Sequence, residues 1–168
     1  LHDALPISGG LLDVENQRHI DLSKIELFVL DDADIDLAAK TCVQGRMING
    51  GQSCVAAKRW IVTGKNYEEF QGKVLELLKK KTMGDPMNAK TDLGPMARID
   101  LRDQLHKQVT KSVKQGARLL LGGEVPNNPG YFYATSLLVD VKPDQVAFQE
   151  EIFGPVMCLM EADSLDEA

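Results

Sequence analysis

Apolar residues follow two rhythms along this chain, and the two alternate. Leu27-Phe28-Val29-Leu30 is a short apolar run ending in acidic residues and reads as a buried strand. Ile35, Ala38, Ala39, Cys42 and Val43 then recur three and four apart, predicting a helix from an Asp34 cap to about Met47. Asn49-Gly50-Gly51-Gln52 interrupts it, because paired glycines permit backbone angles other residues resist. Arg59-Trp60-Ile61-Val62-Thr63 predicts a second strand, closed by Gly64. Tyr67, Phe70, Val74, Leu77 and Leu78 share one face of a following helix, and Lys79-Lys80-Lys81 at its end complement the helix dipole. A Gly/Pro/Asn loop covers 83–96. The next helix is expected from Arg98 to Gln115, with Leu101, Leu105, Val109 and Val113 stacked inward and Gly116 as its stop. Leu119-Leu120-Leu121 predicts a buried strand. Tyr131 to Val141 predicts extended structure after the turn at Pro126-Asn127-Asn128-Pro129-Gly130, and Val156 to Met160 a final strand. Strands alternating with long helices predict an α/β fold, a mainly parallel sheet flanked by helices.

Composition narrows the class. At 168 residues, 43% hydrophobic and 26% charged, the chain is one ordinary globular domain rather than a disordered segment. No apolar run approaches the roughly 18 residues of a membrane helix. Nineteen basic against 25 acidic residues leave a net charge of −6, which disfavours nucleic acid and anionic membranes as partners. Cys42, Cys54 and Cys158 are odd in number and widely spaced, matching neither a disulfide framework nor a zinc site. A reducing, cytoplasmic setting is therefore expected. His19 and His106 have no ligand-type neighbours at metal spacing, so no metal site is predicted, and His106 is expected to be exposed.

The two ends read differently from the middle. Leu1-His2-Asp3-Ala4-Leu5-Pro6-Ile7 matches one translated frame of a sequencing adapter, so 1–8 is read as a cloning scar outside the fold. Residues 9–26 are left unassigned, and 27–168 is taken as the domain. Ser164-Leu165-Asp166-Glu167-Ala168 has an N-cap candidate and acidic first-turn residues, so a helix is expected to begin there. Both ends thus look cut, and a fragment is expected.

Cys54 stands just after the glycine turn and just before a strand. A thiol there has little steric cover, and nearby backbone N–H groups can stabilise a thiolate or an oxyanion. Such a place suits a nucleophile, although a lone cysteine is more often a small buried hydrophobe. Cys42 and Cys158 lie on apolar faces and read as core.

The wider string around Cys54 decides between those readings. Arg46-Met47-Ile48-Asn49-Gly50-Gly51-Gln52-Ser53-Cys54-Val55-Ala56-Ala57-Lys58-Arg59 resembles the catalytic-cysteine segment of the NAD(P)-dependent aldehyde dehydrogenases. Further along, Gln149-Glu150-Glu151-Ile152-Phe153-Gly154-Pro155-Val156 is similar to that family's Glu-Glu-Ile-Phe-Gly-Pro-Val motif. Leu30-Asp31-Asp32-Ala33-Asp34, Gly84-Asp85-Pro86 and Leu93-Gly94-Pro95 fall in the family's order, so the resemblance spans roughly 27 to 168. The Gln-Ser-Cys-Val-Ala-Ala-Lys-Arg version is most like bacterial succinate-semialdehyde dehydrogenase-type members.

The resemblance implies a catalytic domain truncated at both ends, with NAD or NADP as cofactor and a small aldehyde as substrate. Cys54 would attack the aldehyde carbonyl, giving a thiohemiacetal and then a thioester that water hydrolyses to the acid. The Cys54 backbone N–H would be one oxyanion donor, and Asn49 would hold the turn. Glu151 would accept hydrogen bonds from the nicotinamide ribose, and Phe153 would pack against that end. Without the match, Glu150 and Glu151 would read as a solvated acidic turn. The resemblance also implies a homo-oligomeric parent.

Three departures qualify these implications. The family's Glu-Leu-Gly-Gly string, which carries the general base, has no counterpart in register at Ile20-Asp21-Leu22-Ser23. The residues that would hold adenine and pyrophosphate are absent, and no Gly-x-Gly-x-x-Gly spacing occurs. A rival reading is therefore a non-catalytic fragment that folds or associates without turnover alone. A further variant passes the thioester to phosphate or coenzyme A.

Overall fold

The computed structural model describes residues 5–6, 27–30, 34–164 and 166–167. Eleven elements run in the order β1 (Leu5–Pro6), β2 (Leu27–Leu30), α1 (Ile35–Met47), a 3-10 turn (Ile48–Gly51), β3 (Arg59–Thr63), α2 (Gly64–Lys79), α3 (Ile99–Lys114), β4 (Arg118–Leu121), β5 (Ser136–Val139), α4 (Val146–Gln149) and β6 (Val156–Ala162). Among the described residues the strands form one sheet in the order β1-β2-β3-β6-β5-β4. Every pairing is parallel except β4 with β5. The α/β fold with a mainly parallel sheet is thus the observed one.

Alternation along the central strands assigns the two faces. Trp60, Val62, Leu137, Val139, Met157 and Leu159 pack with Ala39, Val43, Phe70 and Val74 of α1 and α2. Ile61, Leu138, Cys158 and Met160, one residue out of step, pack with Leu105, Val109 and Ala147 of α3 and α4. Side chains of a strand point alternately to opposite faces, so the sheet lies between two helical layers and both faces are buried. That is why Val156 to Met160 of β6 read as an unbroken apolar run.

The helices begin and end for local reasons. Asp34 caps α1 by accepting from Leu37 N at 3.0 Å. The stripe of α3 differs from the expectation. Leu105 and Val109 are buried, but Val113 is exposed and Ser112 is fully buried in its place. At about 3.6 residues per turn, each four-residue step drifts some 40° around the helix, so the fourth member of a four-residue stack leaves the inner face. Ser112 repays its burial with two hydrogen bonds, donating to Gln108 O (2.8 Å) and accepting from Ala147 N (2.9 Å).

Three further expectations are corrected. Leu119 to Leu121 are not buried: β4 is the sheet's edge strand, its pairing interrupted between Leu119 and Leu121, and Leu119 is exposed. Within Tyr131–Val141 only Ser136–Val139 is strand. His106 is half-buried rather than exposed, edge-on to Tyr133 with ring centroids 5.9 Å apart. Leu5–Pro6 pairs with Phe28 and Val29 of β2. At Ser164 the described residues make a turn, with Ser164 Oγ accepting from Glu167 N at 3.3 Å. His19, Ile20 to Ser23 and the rest of 9–26 lie outside the described residues. Among the described residues no helix is long and apolar enough to cross a membrane, and no group of His, Cys, Asp or Glu could hold a metal.

Candidate active site

The end of α1 delivers the chain into a tight turn. Asn49 (φ 50°) and Gly50 (φ 62°) both adopt left-handed backbone, and Asn49 Nδ2 donates to Gln52 O at 3.0 Å. Asparagine tolerates that conformation better than most residues and bonds nearby backbone, so Asn49 holds the turn as its type suggests. Gln52 extends the brace outward, its Oε1 accepting from Ala97 N at 2.8 Å. Ser53 closes the next turn, with its carbonyl accepting from Ala56 N and its hydroxyl from Val55 N. Cys54 stands on that turn and is exposed, whereas Cys42 and Cys158 are buried. Burial pushes the Cys42 thiol well above its ordinary range and raises Cys158 to about 11, opposed in the latter by Arg46 and Arg59.

The two motifs, far apart in sequence, meet backbone to backbone. Gly154 N donates to Gly51 O at 3.1 Å. A Cβ on Gly51 would lie 2.0 Å from Gly154 O, and its φ of 71° already disfavours other residues, so only glycine fits.

Beneath that contact lies a residue the sequence reading passed over. Arg46, in the last turn of α1, is completely buried. Its guanidinium donates to Val156 O (2.7 Å), Gly154 O (2.8 Å), Ile152 O (2.5 Å) and Ala56 O (3.3 Å). One side chain thus laces the segment after Cys54 to the Ile152–Val156 segment. Desolvation lowers its pKa to about 10, partly countered by Cys158 and Glu151, so it stays cationic at neutral pH. The signal was present: Arg46 follows Cys42 by four and Val43 by three, on the apolar stripe itself.

Lys58 was likewise missed, having no periodicity to mark it. Its ammonium is buried, 3.3 Å from Cys54 O and 3.2 Å from Glu151 Oε1. Gln108 sorts the paired glutamates, donating to Glu150 Oε2 (3.0 Å) and to Glu151 O (3.1 Å). Glu150 is therefore drawn to α3 and Glu151 to Lys58. Glu151 and half-buried Phe153 line one open cavity of about 430 Å³ with Leu101, Gln104, Leu105, Gln108 and Glu150. At this cavity the Glu151 carboxylate can accept hydrogen bonds and the Phe153 ring offers an apolar surface.

Residues 23–168 match the pattern of the aldehyde dehydrogenase family. The chain belongs to this family. It is 46% identical over 140 residues to the NAD(P)+ succinate semialdehyde dehydrogenase of Escherichia coli K12, and 43% identical to the NADP+ enzyme of Mycobacterium avium. Each match covers 83% of this chain and 30% of the relative, so the chain spans under a third of their length. Among solved structures it resembles the lactaldehyde dehydrogenase of Escherichia coli, with a TM-score of 0.81 and 34% identity over 86% of this chain and 31% of that one. It also resembles a Thermus 1-pyrroline-5-carboxylate dehydrogenase with bound NAD, at TM-score 0.78 and 33% identity over 84% of this chain and 27% of that one. The aldehyde dehydrogenase fold and family expected from the two motifs are therefore the ones found.

Proposed function

We propose that this chain is the thiol-bearing part of an aldehyde dehydrogenase that oxidises a small aldehyde to a carboxylic acid with NAD or NADP. The observation that carries the reading is the meeting of the two motifs at Gly51 and Gly154, one bearing exposed Cys54 and the other Glu151 and Phe153. The relatives named for succinate semialdehyde and NAD(P)+ support that aldehyde as substrate.

In this reading the Cys54 thiolate attacks the aldehyde carbon, and the carbonyl electrons move onto oxygen as an alkoxide. The backbone N–H of Cys54 donates to that oxygen. A dinucleotide held at Glu151 and Phe153 would supply the two-electron acceptor for the hydride of the former aldehyde carbon. What stays on Cys54 is a thioester, and water attacks it to release the acid and restore the thiol. Asn49, Gly51 and Arg46 fix the turn from which the thiol acts. The residues present fit the nicotinamide-ribose end of the dinucleotide: Glu151 offers a carboxylate acceptor for hydroxyls and Phe153 a ring to pack on it. The same reading makes the protein a homo-oligomeric cytoplasmic enzyme, in keeping with free Cys42, Cys54 and Cys158.

The test uses the protein that carries this chain, with succinate semialdehyde and either dinucleotide, followed by reduced-cofactor absorbance. Cys54→Ala and Cys54→Ser should both abolish turnover. Steady turnover in Cys54→Ala would overturn the assignment.

A further inference from the structure

A buried ammonium is expensive to keep, since it leaves water for a low-dielectric interior. Lys58 is kept at 2% side-chain exposure, its ammonium bonded to the Cys54 carbonyl and paired with the Glu151 carboxylate, the latter 53% exposed. An ion pair with one partner half exposed to water adds little stability, so stability is a weak reason for this lysine to be here. Its place supplies a stronger one, because it bridges the nucleophile's turn and the carboxylate facing the cavity.

We propose that Lys58 is a positioning residue for the dinucleotide, holding Glu151 by one carboxylate oxygen so that the other is presented to the ribose. The proposal rests on the reading that Glu151 takes the ribose. An unpaired glutamate on an exposed loop samples several rotamers, and a ligand must then pay for freezing them. Engaging Oε1 with a fixed ammonium removes much of that freedom before binding and leaves Oε2 for a hydroxyl donor. Glu150 is held instead by Gln108 of α3, away from the Cys54 turn. The bond from Lys58 to the Cys54 carbonyl ties the same carboxylate to the thiol's turn, so the ribose end and the nucleophile share one anchor.

The experiment is a double-mutant cycle on equilibrium binding of NAD and NADP, measured by calorimetry on the protein that carries this chain. Lys58→Met, Glu151→Gln and the double variant are compared with wild type, with melting temperature as a check on folding. Lys58→Met should weaken binding about fivefold in the wild-type background and less than twofold in Glu151→Gln, the non-additivity expected of directly coupled groups. Lys58→Gln, polar but uncharged, should show the same pattern and serves where Lys58→Met does not fold. Equal loss in both backgrounds would mark Lys58 as merely structural and overturn the proposal. Weakened binding in Glu151→Gln with none in Lys58→Met would overturn it while sparing the ribose role of Glu151. Unchanged binding in Glu151→Gln would remove that role itself, and the proposal with it.

Discussion

Cys54, Cys42 and Cys158 are the same side chain in three environments, and environment decides what each can do. Cys54 is exposed on its turn, while burial holds the other two protonated and out of reach. Iodoacetamide on the folded chain, read by mass spectrometry, should therefore label Cys54 first; equal or inverted labelling would count against it as nucleophile. Arg46 illustrates the opposite case, a charge wholly enclosed and satisfied by carbonyls. Arg46→Met leaves several buried acceptors unpaired, each worth about 1–3 kcal/mol, so a loss on the order of 3 kcal/mol or more is expected in denaturant unfolding. Asp92 carries a pH effect. Hydrogen bonds from Thr82 N, the Lys81 ammonium and the Thr82 hydroxyl lower its pKa to about 2. A carboxylate depressed below its unfolded value of about 3.9 contributes stability above that pH and loses it as pH falls toward 2. Melting temperature of wild type should thus fall more steeply between pH 4 and 2 than that of Asp92→Asn, with no difference in slope above pH 5.

At the scale of elements, α3 shows where periodicity misleads. Four leucines and valines at four-residue spacing suggested one stripe, yet Val113 faces out and Ser112 faces in. A hydroxyl accepted as core because it satisfies an N–H of a neighbouring helix leaves no apolar trace in a sequence. Ser112→Ala should cost about 1–3 kcal/mol through the stranded Ala147 N–H, measured by chemical denaturation, whereas Val113→Lys should fall within about 0.5 kcal/mol of wild type. The three long helices were legible: α1, α2 and α3 lie where the spacing put them, and the Asp34 cap is formed, whereas the single turn of α4 was not foreseen. The triple leucine of β4 was misread as interior, since an apolar run does not say whether a strand has neighbours on both sides.

Among the described residues the molecule is built on one sheet whose middle is buried and which ends at β4. β6 pairs with β3 on one side and β5 on the other, and Val156 to Met160 are all buried. Native-state hydrogen exchange should find the slowest amides in β6 and β3 and the fastest strand amides in β4. From sequence alone followed the alternation of strands and helices, the apolar faces, the turn at Asn49–Gly51 and, through two strings that resemble aldehyde dehydrogenases, Cys54, Glu151 and Phe153 as candidate site residues. These follow because local periodicity, turn chemistry and motif order are properties of short stretches read one at a time. Tertiary structure alone decided that Gly51 touches Gly154, that Arg46 laces their two segments together, and that Lys58 lies between Cys54 and Glu151. Each of those is a contact across some four to a hundred and ten positions of chain, and a charged side chain enters the interior only where carbonyls and a carboxylate from separate segments converge to receive it.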